Sequence, residues 1–114
     1  MTLSEQQRAF AKLLPRLIDQ AHVLGFEVTL GEAYRSTEEA ARLASRGKGI
    51  RRSLHTVRLA IDLCLFKNGV YLTRSEAYKP LGEWWELQHA DAAWGGRFTR
   101  PDGNHFSLAW GGRK

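Results

Sequence analysis

The chain is 114 residues long with 43% hydrophobic residues, which is enough for one domain with its own core, too little for two, and inconsistent with disorder. Its 17 basic and 12 acidic side chains give a formal net charge of +5, which points towards an anionic partner such as nucleic acid or a cell-wall polymer. A single cysteine excludes an internal disulfide framework, and no apolar run reaches the length of a membrane span.

The first quarter of the chain predicts a long amphipathic helix. Ser4 and Gln7 fit a capping box at its start, and Gly25 fits its C-terminal cap. Between them, apolar residues recur at helical spacing and form one buried stripe: Phe10, Leu13, Leu14, Leu17, Ile18, Ala21 and Leu24. Pro15 does not interrupt the phase of this stripe, so we expect it to kink the helix rather than to end it.

A short strand and a second helix are predicted next. Residues 26–31 alternate in polarity as a half-buried strand does, and Ser36 with Glu39 predicts a short helix that ends where a basic loop, 47–53, begins. Arg35 lies between the two elements, where substrate-contacting residues are common. From the residues alone, an ion pair with a surface carboxylate is the favoured role for Arg35.

The stretch from Ser53 to Leu65 is the most informative part of the chain. Four apolar residues at alternate positions predict a strand with one buried face: Leu59, Ile61, Leu63 and Leu65. Asn68-Gly69 follows and predicts a two-residue hairpin turn. His55 at the strand entrance and Asp62 within the apolar run do not fit a purely structural strand. A buried carboxylate is unfavourable unless it is paired, hydrogen-bonded or bound to a cation, so we expect a partner further along the chain.

The last third of the chain predicts a helix, a turn-rich loop and a closing strand. Residues 73–76 fit a capping box, and Pro80 marks the start of the main helix. The loop R-F-T-R-P-D-G-N leads to a final strand, H-F-S-L-A-W, with His105 at its start. One face of this strand is apolar: Phe106, Leu108 and Trp110.

His55, Asp62 and His105 together offer two imidazoles and one carboxylate, a donor set that suits zinc. Three protein ligands leave a fourth position open for water, as in catalytic zinc sites, and zinc lowers the pKa of that water to about 7. Asp102 precedes His105 by three residues and is close enough to act as a general base. The same donors also fit non-haem iron. Cys64 shares the strand face of Asp62 and is a further candidate ligand, although a small buried residue is its more common role.

Several segments resemble one family, the M15 peptidases, which include the VanY-like zinc D-Ala-D-Ala carboxypeptidases and the L-alanyl-D-glutamate peptidases. S-L-H-T-V-R-L-A-I-D at residues 53–62 is similar to the family signature S-x-H-x-x-G-x-A-x-D. A-Y-R-S, W-G-G-R-F and D-x-x-H-F resemble the other family segments in the same order, and the resemblance extends from about Gly25 to Ala109. It implies an α+β fold of the Hedgehog or DD-peptidase type, a small antiparallel sheet with packed helices, in one catalytic domain over residues 1–114.

The resemblance also implies a role for each candidate residue. Zinc is held by His55, Asp62 and His105, with Asp102 as the catalytic acid/base. Arg35 is implied to contact the substrate or the developing oxyanion, which reverses the surface role favoured above. Ser53 is implied to line the substrate site and to support the metal ligands.

Departures from the signature favour the lytic enzymes of phages. Arg58 replaces the signature glycine, as is usual in the endolysin branch, and Asp102 stands where carboxypeptidases carry glutamate. Ser107 stands where a longer polar residue is common. The resemblance therefore implies a zinc-dependent endolysin that hydrolyses a peptidoglycan stem-peptide amide, with L-alanyl-D-glutamate as the expected bond and D-Ala-D-Ala carboxypeptidase activity as the alternative.

The expected setting follows from the same reasoning. The N-terminus, M-T-L-S-E-Q-Q-R, lacks the basic start and apolar core of a secretory signal. We expect a monomer that stays in the host cytoplasm until it is released to the wall, with the stem peptide and anionic wall polymers as partners and neither membrane nor stable nucleic-acid binding.

Two alternatives compete with the hydrolase. A basic nucleic-acid-binding module using Lys48, Arg51 and Arg52 explains the charge but gives Asp62 and the histidine motifs no purpose. A peptidase-like domain that holds metal without turnover is the second alternative. The presence of Asp102 argues against it, because a purely structural site needs no base.

Overall fold

The computed structural model describes residues 1–50 and 52–114, and over these residues the chain forms three α-helices and a five-stranded antiparallel sheet. The α-helices are α1 (Leu3–Val23), α2 (Thr37–Ser45) and α3 (Lys79–Glu86). The strands are β1 (Glu27–Leu30), β2 (Ala60–Lys67), β3 (Val70–Tyr71), β4 (Ala92–Trp94) and β5 (His105–Leu108). Short 3-10 turns span Leu54–Val57, Ser75–Tyr78 and Gly95–Arg97. The predicted α+β class is confirmed.

β2 is the central strand of the sheet, whose order is β1-β2-β5-β4, with β3 paired to the end of β2 as a hairpin. The first half of β2 pairs with β5 and the second half pairs with β1, both antiparallel. The register places Asp62 opposite His105. Side chains opposite each other on adjacent strands have Cβ atoms only about 4.5–5.5 Å apart, so the sheet itself brings these two side chains together.

α1 supplies one wall of the core. Four residues of the predicted stripe are buried: Phe10, Leu13, Leu17 and Ala21. The other three, Leu14, Ile18 and Leu24, are partly buried and pack against the core. The helix continues through Pro15. The ring of Phe10 meets the ring of Trp85 edge-on, with centroids 6.0 Å apart. Complete burial of Trp85 and of the β2 residues Leu63 and Leu65 contributes about 1.5–3 kcal/mol each.

The start of α1 corrects one prediction. Its capping box is formed by Thr2 and Glu5 rather than by Ser4 and Gln7. The Thr2 hydroxyl accepts from the N–H of Glu5 (3.1 Å), and the Glu5 carboxylate accepts from the N–H of Thr2 (2.8 Å). Both residue pairs have the same three-residue spacing, so the pattern alone could not choose between them. At the other end, Gly25 follows the C-cap with φ +91°, as predicted for a terminating glycine.

Two further local predictions are confirmed. The Ser36 hydroxyl accepts from the N–H of Glu39 (3.0 Å) at the start of α2. Asn68 and Gly69 have φ values of 52° and 76°, as their hairpin turn requires. The alternation of β2 is also confirmed, because Ile61, Leu63 and Leu65 are buried while the intervening Asp62 and Cys64 are partly exposed.

Three other predictions need correction. Residues 54–57 form a 3-10 turn rather than an extended strand entrance. The cap predicted at residues 73–76 is wrong, since the 3-10 turn Ser75–Tyr78 begins without a side-chain cap and α3 follows, with Pro80 in its first turn. The three-residue strand β4 was not predicted. No helix within the described ranges combines the length and the apolar character needed to cross a membrane.

Candidate active site

His55 is held by the 3-10 turn that precedes β2. The Ser53 hydroxyl accepts from the N–H of His55 (3.2 Å), and the Thr56 hydroxyl donates to the Ser53 carbonyl (2.6 Å). His55 Nδ1 lies 2.8 Å from the carbonyl oxygen of Ala33. A carbonyl oxygen can only accept, so Nδ1 carries the proton and Nε2 is left as a free electron-pair donor. Ser53 thus positions His55 from within the turn and also lines the cleft above it.

The turn closes at Arg58, where the signature has glycine. Arg58 has φ 58° and ψ 38°, in the left-handed region that glycine adopts without penalty. Its guanidinium carbon lies 4.2 Å from the ring centroid of Tyr34, a cation–π distance. The left-handed backbone therefore explains why a glycine suits this position. With an arginine there, stacking on Tyr34 offsets the conformational cost of that backbone.

Asp62 and His105 complete a three-residue cluster with His55. Asp62 Oδ1 lies 3.3 Å from His55 Nε2 and 3.8 Å from His105 Nδ1. One ligand atom from each residue can be chosen such that all lie within 4.8 Å of one another. The two imidazole rings are nearly perpendicular, with centroids 5.4 Å apart. Three donors at these separations surround a volume suited to one metal ion.

The cluster fits a metal by its unsatisfied atoms as well as by its geometry. Asp62 Oδ1 and His105 Nε2 are buried and have no hydrogen-bond partner within the described part of the chain. An unpaired buried polar atom costs about 1–3 kcal/mol, and a cation at the centre of the cluster would remove that cost for the carboxylate. Cys64 is not part of the cluster; it is partly exposed, and its Sγ lies 3.9 Å from the side-chain amide of Asn104.

The two histidines have pKa values displaced in opposite directions. Burial lowers the pKa of His105 to about 4, which keeps its imidazole neutral and able to ligate a metal. Burial also acts to lower the pKa of His55, but the adjacent carboxylate of Asp62 favours the protonated imidazole, outweighs burial and raises the pKa. Asp62 lies nearer to His55 than to His105, in agreement with this difference.

Asp102 is placed by the W-G-G segment. Its N–H donates to the carbonyl of Gly95 (2.9 Å), and its own carbonyl accepts from the N–H of His105 (3.1 Å). The Trp94 indole donates to the Gly103 carbonyl (2.8 Å), which holds the same turn from the other side. A Cβ on Gly95 would overlap the Asp102 carbonyl oxygen and lie 2.7 Å from His105 Cβ. The W-G-G segment therefore packs closely against the D-G-N-H turn, residues 102–105, and fixes its position; we call this packing surface the seat of the turn.

The carboxyl group of Asp102 faces the cleft with the three donors. Partial burial there, followed by the negative charge of Asp62, raises the pKa of Asp102 above its ordinary value. A raised pKa suits a group that must both take and return a proton near neutral pH.

Asn104 is a site residue that the sequence analysis missed. Its side-chain amide donates to the carbonyl of Leu63 (2.8 Å) and to the hydroxyl of Tyr78 (3.1 Å). Tyr78 is fully buried, and its hydroxyl donates in turn to the carbonyl of Leu72 (2.8 Å). This network ties the D-G-N-H turn to β2, next to Asp62. The one sequence signal that could have indicated this role is the position of Asn104 directly before the candidate ligand His105.

Arg35 completes the site from the segment between β1 and α2. Its backbone N–H donates to the His55 carbonyl (3.1 Å), and its guanidinium forms an ion pair with Glu32. The side chain is only 12% exposed and lines the cleft, so the ion pair favoured from composition and the cleft position implied by the resemblance are both found.

The cleft has a volume of about 560 Å³ and brings all six predicted site residues together. These are Arg35, Ser53, His55, Asp62, Asp102 and His105. Its remaining wall comes mostly from two loops: Gly47, Lys48, Gly49, Ile50, Phe98, Thr99 and Arg100. Arg51, which the sequence analysis placed in the basic loop, lies outside the described residues.

The sequence profile described as D-alanyl-D-alanine carboxypeptidase, of the M15 peptidases, matches residues 46–108. The match covers more than half of the chain and includes the three donors and Asp102. The chain belongs to the M15 peptidase family. The resemblance inferred from the signature segments is thereby confirmed, and the cluster of His55, Asp62 and His105 is the metal-binding candidate of an M15 peptidase.

Two solved structures share the fold of this M15 peptidase. The L-Ala D-Glu endopeptidase ChiX of Serratia marcescens is 23% identical with a TM-score of 0.66, over 93% of this chain and 85% of ChiX. A point mutant of the vancomycin resistance D,D-pentapeptidase VanY, in complex with Zn(II), is 18% identical with a TM-score of 0.57, over 88% of this chain and 70% of VanY. No curated protein sequence matches the chain.

Proposed function

We propose that this M15 peptidase is a zinc-dependent peptidoglycan hydrolase that cleaves the L-alanyl-D-glutamate bond of the stem peptide. The proposal is carried by one observation: His55, Asp62 and His105 converge in a cleft that also contains Asp102 and Arg35. The structural likeness to ChiX, an L-Ala D-Glu endopeptidase, supports the choice of bond. The family description and the likeness to VanY favour D-Ala-D-Ala cleavage as the second candidate.

The residues of the chain have separate tasks in this reaction. His55, Asp62 and His105 would hold the zinc ion, which would supply the Lewis acidity to polarise a carbonyl and to lower the pKa of water. Asp102 accepts the proton of the attacking water and returns it to the nitrogen of the leaving amine. The proton that Asp102 takes is the one it gives back, so the carboxylate is regenerated at the end of each cycle.

Arg35 contributes positive charge where negative charge develops. Its ion pair with Glu32 and its backbone hydrogen bond to His55 hold the guanidinium in the cleft before substrate arrives. A donor that is already in place needs no reorganisation during the reaction, and such preorganisation is often the largest electrostatic contribution to catalysis. We assign Arg35 to the substrate carbonyl oxygen or to a neighbouring substrate carboxylate.

We further propose that the enzyme acts as a monomeric phage endolysin, held in the host cytoplasm until its release to the wall. Arg58 at the signature glycine position and Asp102 in place of glutamate support the endolysin branch. The net charge of +5 supports attraction to anionic wall polymers, because opposite charge accelerates encounter and concentrates the enzyme at the wall.

Mass spectrometry of digested peptidoglycan tests this proposal. Zinc-loaded enzyme should clear a suspension of purified walls and generate new D-glutamate amino termini without new reducing sugar ends. Release of terminal D-alanine alone would assign the enzyme to the carboxypeptidases. Intact walls together with tight DNA binding would favour the nucleic-acid-binding alternative.

A further inference from the structure

Three cations that line the cleft have no role in the chemistry proposed above: Lys48, Arg100 and Lys114. Lys48 follows α2 and Arg100 precedes Asp102, and both line the cleft from separate loops. Within residues 1–50 and 52–114, none of the three side chains forms an ion pair, whereas Arg35 is paired with Glu32. Two of the three unpaired cations that line the cleft therefore lie in these loops, and the third is Lys114.

The backbones of both loops are anchored close to the site. The N–H of Lys48 donates to the Leu43 carbonyl (2.9 Å), which folds the loop back onto the end of α2. Arg100 lies two residues before Asp102, whose N–H is bonded to the Gly95 carbonyl (2.9 Å). Each side chain thus projects from a defined position, which reduces the ordering entropy lost when it binds a ligand.

The surroundings of the two cations define what they can bind. The carboxylates that line the cleft, Asp62 and Asp102, are assigned to the metal and to proton transfer. Apolar surface comes from Ile50 and from Phe98, whose ring centroid lies 5.1 Å from that of His105. The cleft therefore suits a short peptide that carries aliphatic groups and at least one free carboxylate near the bond to be cut.

The proposed substrate carries such a group. D-Glutamate in a stem peptide is linked onward through its γ-carboxyl, so its α-carboxylate stays free, one carbon from the scissile nitrogen. In some walls this group is amidated, which removes its charge. We propose that Lys48 and Arg100 bind the α-carboxylate of D-glutamate, so that the enzyme discriminates against amidated stem peptides. This inference rests on the proposed L-alanyl-D-glutamate specificity.

Two synthetic stem peptides test the inference, one with the D-glutamate α-carboxylate and one with the α-carboxamide. Hydrogen bonds to a charged group are strong enough for a preference of roughly tenfold to a hundredfold in kcat/KM for the acid. The Lys48→Gln/Arg100→Gln enzyme should lose most of this preference, because cleavage of the acid slows while cleavage of the amide changes little. Lys48→Arg should retain it.

A matched control removes the same charge elsewhere. Lys12→Gln/Arg16→Gln on the exposed face of α1 lowers the net charge equally and should keep the preference for the acid. An equal loss in this control would overturn the inference in favour of overall charge. Equal cleavage of both peptides by the wild-type enzyme would overturn it while leaving the L-alanyl-D-glutamate assignment intact. Cleavage of neither, with release of D-alanine from a pentapeptide, would overturn both proposals.

Discussion

The floor and the rim of the cleft are built in different ways. The floor, His55, Asp62 and His105, rises from the central strand and its immediate neighbours, and both histidines are buried. The rim, Lys48, Ile50 and Arg100, lies on loops and is exposed. Buried donors fixed by backbone hydrogen bonds suit catalysis, which needs invariant distances. Exposed loop residues suit substrate selection, because they can change without disturbing the core.

The largest effect is expected from removing a floor donor. His105→Ala should lose bound zinc and reduce wall lysis below detection, because two protein ligands hold zinc far more weakly than three. Chelation of the wild-type enzyme should have the same effect, reversed by added zinc. Metal content and lysis rate should be measured together, with the exposed His22→Ala on α1 as the unaffected control. Full activity in a verified metal-free sample would rule out the site.

The next effect separates metal binding from proton transfer. Asp102→Asn preserves the size of the side chain and leaves all three donors in place, so zinc content should remain near normal. Lysis should fall by roughly two to four orders of magnitude, the usual contribution of a positioned acid/base. Near-normal lysis by folded, zinc-loaded protein would exclude Asp102 as the base. Loss of zinc would instead make Asp102 a ligand.

Adding a methyl group should change stability differently at a glycine beside the floor and at one beside the rim. Gly95→Ala places a Cβ against Asp102 and His105 and should destabilise the protein by about 1–3 kcal/mol and reduce zinc content. Gly49→Ala meets the Arg35 guanidinium at 3.4 Å and Leu43 at 3.7 Å, which are ordinary contacts. Its unfolding free energy should change by less than about 0.5 kcal/mol. Urea unfolding of both variants measures the contrast, and equal stabilities would refute the proposed seat for the D-G-N-H turn.

The smallest effect is expected at Arg58, at the edge of the floor. Arg58→Gly relieves the left-handed backbone by about 1 kcal/mol and loses a stacking interaction of about 0.5–1 kcal/mol on Tyr34. The two changes should nearly cancel in urea unfolding, with zinc content unaltered. Arg58→Val should be clearly less stable, since a β-branched residue tolerates this φ poorly. Equal stability of the valine and glycine variants would show that the backbone is not under strain.

Local signals in the chain predicted those elements whose stabilising contacts are also local. The Asn68-Gly69 turn and the Ser36 cap depend on residues within four positions of each other, and both were predicted correctly. The cap predicted at residues 73–76 has an equally good local pattern and is absent. There, the Ser75 hydroxyl instead accepts from the N–H of Gly103 (3.0 Å), a contact with the site turn. This segment is therefore held by a long-range hydrogen bond from Ser75, a residue that the local pattern did not single out.

The residues of the candidate site show the same difference between local patterns and long-range contacts. The donor set of His55, Asp62 and His105 could be proposed because a carboxylate in an apolar strand demands a partner and the signature segments supply one. The seat provided by Gly95 and the support from Asn104 could not be proposed in this way. Their purpose appears only when the D-G-N-H turn lies against two other parts of the chain.

By itself, the sequence determined the central strand and the chemistry of the donors, because periodicity and residue type report directly on burial and on ligand preference. The fold class came from the resemblance of the signature segments to the M15 peptidases. Only the tertiary structure decided that Asp62 lies opposite His105, that Ala33 sets the tautomer of His55 and that Lys48 and Arg100 share one cleft. These relations join residues that are distant in the chain. They depend on sheet register and loop placement, which are set by the packing of the whole core rather than by any local pattern.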